Sequence, residues 1–493
     1  MKYLLGIDVG TTGTKSLLFR EDGQLLGHAY RPYPMHTPQV GWSEQNAEDW
    51  WNAVVETVRE ICTDPEVQKN VAGISLSLQG GTMVAVDKDF NQVRPAMVWN
   101  DHRCEAQKEA YLKEVGPAET MYEKTGWNLG CGLNANEIRW MKDNEPENFA
   151  KTHMFLSVPD YVSYKMTGIP AVDLSDVGIN QLGNIREAAY DPQLLAFAGI
   201  TEEKLPKILR SGEVIGHLTE EAAETLGLST DCVLCAGAHD QYAVALGAGA
   251  CKAGDILIGS GTCWVITAIG DEPDFESGLS QSVAAVPGKW GSLWSLSSGG
   301  VCLEWWRRNL TVDAKGNQVP YDVINEEVAK RKAAEDGLFF YPFSGRSTLQ
   351  KGFSKASFVG LDLSHDRFDI ARAIMEGVAF QINWMMEAFK TKPSKEGLKL
   401  AGGASKSTLW CQMVADIANL PVRIPEVADL ACVGAAILAG VGSGVYRDAE
   451  EGYNRLAVQE RVLQPNPERA ERYKGLFEEY KHHAGVLGAV YGL

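Results

Sequence analysis

The 493-residue chain has no apolar run of about 18 residues, so the sequence offers no helix long enough to cross a membrane. Cysteine occurs ten times, but without the spacing of a disulfide framework or a zinc site. The one close pair, Cys232 and Cys235, lies in an apolar strand-like run and has no second pair to complete a cluster. That pattern points to buried thiols in a reducing compartment. An excess of basic charge is also missing. Lys and Arg number 46 against 64 Asp and Glu, for a formal net charge of −18. This excludes a general nucleic-acid or anionic-lipid surface, although not a phosphate site built from backbone amides. The first residues, Met1 to Asp8, lack the long apolar region of a secretory leader and reach an acid too soon. The expectation is a cytoplasmic protein with no nucleic-acid or membrane partner. A second copy of the chain, forming a homodimer, is the one macromolecular partner left open.

What is present is an ordinary globular composition, 45% hydrophobic and 22% charged, in a chain long enough for two domains. Its middle holds Gly237-Ala-His-Asp-Gln-Tyr-Ala-Val-Ala-Leu-Gly-Ala-Gly249, where Asp240 is the one acid in a nearly uncharged run. A strand-like segment, Val233 to Gly237, ends just before it, and small residues after it permit a closely packed helix. An acid at the carboxyl end of a strand is where open α/β sheets place ligands. Alone, Asp240 reads better as an ordinary helix cap.

Two strand–turn–strand units flank this stretch. In the first, residues 3–9 lead through Gly10-Thr-Thr-Gly-Thr-Lys15 into Ser16 to Arg20. In the second, Asp255 to Ile269 is apolar on both sides of Gly259-Ser-Gly-Thr262. Each turn combines glycine with hydroxyls, which can aim donors at a phosphate, although neither has P-loop spacing. Their recurrence about half a chain apart suggests a duplicated domain with the turns facing each other. Between them, Ala47 to Ile61 reads as an amphipathic helix and Val71 to Leu78 as a buried strand, with Met83 to Asp87 pairing back. Strand ends at Gln79-Gly80-Gly81 and Asn100-Asp101-His102-Arg103 gather polar groups that suggest a substrate cleft, with an Asp101–Arg103 ion pair as the structural alternative. Later, Asp366 caps a long helix, and Leu398 to Ser407 reads as strand, glycine turn, hydroxyl cap and helix. That arrangement suits a nucleotide at a helix N-terminus.

Taken together these segments resemble the FGGY carbohydrate kinases, nearest their xylulokinase-like members. Gly6 to Lys15 resembles the first phosphate loop, Gly41-Trp-Ser-Glu-Gln45 and Trp99 to Arg103 two N-domain motifs, and Gly237 to Asp240 the base motif. Gly259 to Thr262 is similar to the second phosphate loop. Ala356 to Leu361 with Asp369, Ile370 and Ala373 to Glu376 follows the C-domain signature, and Gly402 to Ser407 the adenosine motif. The resemblance implies an α/β protein of two ribonuclease-H-like, actin-like ATPase domains, residues 1–249 and 250–493, with ATP and a small sugar or polyol in the cleft between them.

It also implies roles. Asp240 is the base and Asp8 a magnesium-associated acid, with both near the metal. Gly10, Thr11, Thr12, Gly13, Lys15, Gly259, Ser260, Gly261 and Thr262 serve the phosphates. Gly300, Glu304, Gly402, Gly403, Ala404 and Ser407 serve the rest of the ATP. Gln79, Gly80, Gly81, Asn100, Asp101, Gln241 and Trp264 join Asp240 at the sugar, with burial in the core as the alternative for Trp264. The sequence departs from the pattern where Gly80-Gly81 replaces Met-His of xylulokinases and Arg-Glu of glycerol kinases. The two missing side chains leave space for a different acceptor, unless Trp264 or His239 fills it. Glu137 replaces a signature Lys, and Ser407 an Asn of glycerol kinases. A ketopentose such as xylulose leads as acceptor; glycerol, erythritol, gluconate and ribulose are alternatives. An actin- or chaperone-like ATPase would need the same turns but no sugar pocket, and a catalytically dead sensor would not need both acids.

Overall fold

The computed structural model describes residues 1–312, 315–342, 355–427, 429–456 and 458–491. Two sheets organise it. In the first, β1 (Tyr3–Val9), β2 (Gly13–Arg20) and β3 (Leu25–Pro32) form an antiparallel meander. After helix α1 (Ala47–Ile61), β4 (Val71–Leu78) lies parallel to β1. Beyond β4 come β5 (Val214–His217) and β6 (Val233–His239), giving the order β5-β6-β4-β1-β2-β3. Helix α2 (Asp240–Gly247) follows β6 directly.

The second sheet repeats this plan. β7 (Ile256–Ser260), β8 (Trp264–Gly270), β9 (Ser280–Val283) and β10 (Trp290–Leu296) are antiparallel neighbours, and helix α3 (Gly300–Leu310) follows. Helix α4 (Arg367–Ala388) leads to β11 (Leu398–Gly402), which lies parallel to β7. Helix α5 (Thr408–Ala418) leads to β12 (Val422–Pro425), parallel to β11. Helix α6 (Leu430–Gly442) then follows β12, the sixth strand of its sheet, as α2 follows β6, the sixth of the first. The antiparallel edge strand β13 (Glu460–Leu463) and the helix α7 (Pro467–Tyr491) complete the second half. This is the duplicated ribonuclease-H-like architecture of actin-like ATPases.

Strand β1 is buried along its whole length, because helices cover both faces of the sheet. The cover on one face comes from the other half of the chain. Helix α6 lies so close to β1 that a side chain on Gly6 would strike the backbone of Cys432 and Ala436, and one on Gly73 the Ala439 carbonyl. A Gly434 side chain would likewise strike the backbone of Ala243 on α2. Leu17, Phe19, Ala238, Tyr242, Leu246, Val433 and Ile437 form one apolar cluster across this seam. Two larger cores occupy the two halves. Tyr473, Phe477 and Tyr480 of α7 pack into the second core, as their helical spacing predicts.

One pairing differs from the sequence reading. Met83–Val86 does not fold back on β4. It joins a separate four-stranded sheet with Glu44–Gln45, Ala96–Met97 and Met154–Ser157. The polar turn Gln79–Thr82 takes the chain out of the main sheet, and the two faces of Met83–Val86 pack into different cores, Val84 and Val86 with the first-sheet core and Met83 and Ala85 with a separate cluster around Ile138 and Phe155. All ten cysteines are free, and Cys232 and Cys235 are buried thiols as expected. No described helix is long and apolar enough to cross a membrane. Replacing Gly434 with Val should destabilise the protein by about 1–3 kcal/mol through overpacking against α2. Denaturant unfolding at constant slope is the measurement, and an unchanged midpoint would show that the seam has slack.

Candidate active site

The parallel strands of the first sheet all end on one side of it, and the chemistry gathers there. Asp8, near the end of β1, is 7% exposed. Its Oδ1 accepts from Ser77 Oγ of the neighbouring β4 at 2.9 Å. Its Oδ2 is 3.6 Å from Lys15 Nζ on β2. Lys15 makes its shorter contact elsewhere, donating to Asp429 Oδ2 at 2.7 Å. Asp429 caps α6 through Oδ1, which accepts from the Cys432 N–H. Thus the helix that crosses from the second half delivers a second acid beside Asp8.

The electrostatics follow from that crowding. Burial first, and then the Asp429 charge, raise the Asp8 carboxyl to about 7, while Lys15 and the Ser77 hydrogen bond pull the other way. Burial opposes the Lys15 ammonium, but Asp429 and Asp8 more than offset this and hold it above its ordinary value. Asp8 is therefore a carboxylate whose charge is only partly compensated by protein.

Asp240 opens α2 at the end of β6, two strands from Asp8, and its side chain is 39% exposed. The preceding residue, His239, is 5% exposed and caps the helix. Its Nδ1 sits between the Gln241 N–H at 3.3 Å and Asp240 Oδ1 at 3.2 Å. Gln79 Nε2 donates to Gln45 Oε1, and Gln45 Nε2 donates to the Thr11 carbonyl, so the sugar-end strands are tied to the first turn. Trp99 Nε1 donates to Thr11 Oγ1 at 3.2 Å. The buried carbonyl oxygens of Gln79 and Asn100 have no protein partner.

The Gly80-Gly81 gap is filled. A side chain on Gly80 would meet Asp176 Oδ1 at 2.6 Å and His239 Nε2 at 2.8 Å. Gly81 takes a φ of +69° and packs under Leu133, whose Cδ2 would meet its side chain at 2.9 Å. Of the two fillers the sequence offered, His239 is present, joined by Asp176, and Trp264 is not.

Trp264 is fully buried in the second core against Trp410, so it is removed from the sugar end. Asp101 is also 0% exposed. Its two oxygens accept from the Ser43 N–H and from the backbone and guanidinium of Arg103. This is the structural ion pair, and Arg103 further stacks over Trp42 and pairs with Glu44 at 2.9 Å. Glu137 is fully buried near this pair, and burial followed by the Asp101 charge holds its carboxyl well above its range.

In the second half, the turn after β7 and the end of β11 converge. The turns are closed alike, by Gly10 N–H to the Gly13 carbonyl at 3.2 Å and Gly261 N–H to the Cys263 carbonyl at 3.1 Å. Gly300 and Val301, at the start of α3, donate to the carbonyls of Gly261 and Thr262 at 3.2 Å each, fixing the turn. Gly402, at φ +98°, brings the end of β11 against Ser260. Gly261, Thr262, Gly402 and Gly403 remain exposed, while Ala404 and Ser260 are buried. The Ser260 hydroxyl donates to the Ala401 carbonyl, and that of Ser407 to Asn325 Oδ1, while also capping α5. Glu304 pairs with Arg307 one turn along α3.

Sequence reasoning missed Asp429, Ser77 and Asp176. Asp429 was within reach, since it follows the sixth strand of the second repeat, β12, as Asp240 follows β6 in the first. Ser77 carried no signal inside an apolar strand, and Asp176 read as a turn residue.

Comparison with known proteins accords with this geometry. Residues 3–247 match the N-terminal domain, and residues 255–443 the C-terminal domain, of the FGGY family of carbohydrate kinases. A xylulose kinase of Bacillus subtilis (strain 168) is 30% identical over 488 residues, 98% of this chain and 96% of that protein. A gluconokinase of the same organism is 28% identical, covering 90% of this chain and 88% of that protein. The crystal structure of a xylulose kinase from Rhodospirillum rubrum superposes with a TM-score of 0.90 at 25% identity over 100% of both chains.

The raised Asp8 carboxyl makes a testable sign prediction. The fold favours its protonated form, so its contribution to stability is present in full below the ordinary value of 3.8 and is lost as pH rises through about 7. Asp8→Asn, which cannot ionise, should melt above the wild type at pH 8 without ligands, and the gap should narrow steadily as pH falls from about 7 toward 3.8. Melting curves across this range decide it, and a gap independent of pH would contradict the assignment.

Proposed function

The chain belongs to the FGGY family of carbohydrate kinases, and we propose that it transfers the γ-phosphoryl group of ATP to a hydroxyl of an uncharged ketose, with a ketopentose such as xylulose leading. The observation that carries this reading is the placing of Asp240. It stands half-exposed at the mouth of the first sheet, on a helix start, in the same cluster of strand ends as Asp8. Phosphoryl transfer asks a protein mainly for positioning and charge stabilisation. Asp240 accepts the proton of the acceptor hydroxyl as that oxygen attacks phosphorus. Gln241, Gln79 and Asn100 offer polar contacts to the rest of the acceptor. The turns at Gly10–Thr12 and Gly261–Thr262 hold the phosphates from opposite halves, and Lys15 adds positive charge beside the first. Gly402, Gly403 and Ala404 line the nucleoside end.

Asp8 suits a magnesium ion, since its buried carboxylate is only partly compensated by Lys15, and such ions bind through one or two carboxylates and retained waters. Magnesium held there would neutralise charge on the transferring phosphates.

The preference for an uncharged acceptor comes from the cations at the sugar end. Among the described residues that contact these strand ends, Lys15 is tied to Asp429 and Arg103 is enclosed by Asp101 and Glu44. Neither is free to pair with a carboxylate, whereas Asp8 and Asp240 would repel one. This favours the chemistry named for the xylulose kinases over that named for the gluconokinases. A cytoplasmic location accords with ATP as donor and with the free cysteines.

Turnover of ATP with xylulose, ribulose, glycerol, erythritol and gluconate tests the reading. A neutral ketose should give the highest kcat/KM, and a preference for gluconate would overturn the charge argument. Asp240→Asn should lower kcat by about 10²–10⁴-fold. Its melting temperature should hardly change, because Asn serves equally at a helix start. Near-normal turnover would remove Asp240 from the role of base.

A further inference from the structure

A group of metal-ligating side chains on the segment after Trp99 takes no part in the chemistry proposed above. His102 stands in the loop before the helix Glu105–Glu114, and Glu105 opens that helix. Cys131 comes from a separate loop, ahead of the helix Asn134–Asn144. One imidazole nitrogen of His102, one carboxylate oxygen of Glu105 and the Cys131 sulfur all lie within 4.8 Å of one another. Linear spacing does not reveal this group, because the fold brings Cys131 in from a distant segment. The two segments are pressed together where they meet. A side chain on Gly132 would strike the Asp101 carbonyl at 2.3 Å and the Trp99 carbonyl at 2.9 Å. The His102 backbone N–H donates to the Gly41 carbonyl at 2.8 Å, so the loop itself is held. Neither His102 nor Glu105 is committed elsewhere: among the described residues their one ion pair is Glu105 to Lys108, at 3.9 Å. Arg103, the cation between them in sequence, is enclosed by Asp101 and Glu44. Cys131 interacts with the thiol and the backbone N–H of Cys104, which is buried beneath it.

We propose that His102, Glu105 and Cys131 bind a divalent transition-metal ion of the zinc type, which clips the Trp99–Glu105 segment to the loop that carries Cys131. The donor set selects the ion. Magnesium and calcium take oxygen ligands, whereas zinc accepts sulfur, imidazole nitrogen and carboxylate oxygen together. Three protein ligands with water in the fourth position is a common zinc arrangement. Bond lengths of about 2.0–2.3 Å to a tetrahedral ion put its donors about 3–4 Å apart. The three donors must therefore draw in by about 1 Å, which rotation of the exposed His102 and Glu105 side chains supplies. Their exposure also lets an ion enter from solvent without opening a core. As the sulfur–metal bond forms, the Cys131 thiol releases its proton to solvent, and no oxidant or reductant takes part. Cys104 is not a ligand in this arrangement. Its S–H and N–H face the bound sulfur as outer partners, which orient a ligand and tune it.

The experiment titrates reduced, untagged, full-length protein with zinc, and in parallel with cobalt(II) as a coloured substitute, while excess magnesium competes at oxygen-only sites. The wild type should bind a single zinc ion per chain, melt at a higher temperature with it, and show a sulfur-to-cobalt charge-transfer band. Zinc should also protect Cys131 from alkylation by iodoacetamide, mapped by mass spectrometry. His102→Ala and Glu105→Ala should each weaken binding by at least about 10- to 100-fold, the loss that removal of even an outer partner brings. Cys131→Ser should abolish the charge-transfer band. His102 and Glu105 are exposed, so their metal-free variants should melt with the metal-free wild type, which separates lost binding from lost fold. A wild type that shows no charge-transfer band and retains no zinc overturns the proposal. So does an undiminished band in Cys131→Ser, which would place the metal on another cysteine. Wild-type affinity in both His102→Ala and Glu105→Ala overturns it too, since the ion would then be held by sulfur alone. Turnover is not the readout, so each of these failures leaves the kinase reading standing.

Discussion

The close passage of α6 across the first sheet is the constraint on which the rest depends. Backbone meets backbone at Gly6, Gly73 and Gly434, and no side chain larger than hydrogen fits at those points. Dispersion and burial at such a seam fall off steeply with separation, so the two halves are held at a fixed spacing. That spacing does chemical work. It brings Asp429, at the head of α6, within 2.7 Å of Lys15 on a strand of the opposite half. The apolar cluster around Tyr242 and Val433 keeps the same two helices from sliding, and so fixes where Asp240 emerges as well.

An acidic chain gathers several of its acids at the ends of the parallel strands of the first sheet, with Lys15 among them. The geometry shows how it is tolerated. Asp8 and Asp429 share Lys15, and burial together with the Asp429 charge leaves the charge of Asp8 under-compensated. Asp176 lies deeper, without a cation, and its carboxyl stays neutral. Asp240 alone is open to solvent to a substantial degree. The acids at these strand ends therefore stand in different environments, and burial, not residue type, sets apart Asp8 and Asp176 from an ordinary surface carboxyl.

Much of the architecture was legible in the residues. The helix Ala47–Ile61 and the strand Val71–Leu78 have the limits that periodicity marks, because each carries its own pattern and its own start signal. The two glycine-hydroxyl turns and the helix capped by Asp366 were likewise local. Pairing was not. Met83–Val86 reads as a return strand, yet it joins a different sheet, since partner choice depends on Met154–Ser157 much later in the chain. The site divided in the same way. Asp8 and Asp240 stand at strand ends that can be counted off. Asp101 and Trp264 sit at equally suggestive strand ends, but their burial is decided by Arg103 and Trp410, which the local sequence does not show. The glycine pair at 80 and 81 could be read as a vacancy, but what fills it comes from Asp176 and Leu133.

The duplication explains why one acid of each repeat lies where it does, and why they no longer do the same thing. In both halves the sixth strand of the sheet in chain order runs into a helix that packs against the other half, and an Asp stands at that junction: Asp240 as the first residue of α2, Asp429 just before α6. A helix start stabilises a carboxylate in either place. What differs is the neighbour. Asp429 meets Lys15 from the opposite sheet and is engaged in an ion pair with it. The corresponding neighbour of Asp240 is uncharged His239, which contacts one oxygen and leaves the side chain partly exposed. A single fold element used twice thus yields one acid that organises charge and one that is free to react. Their division of labour lies in the single side chain that each acid finds across the cleft or beside it.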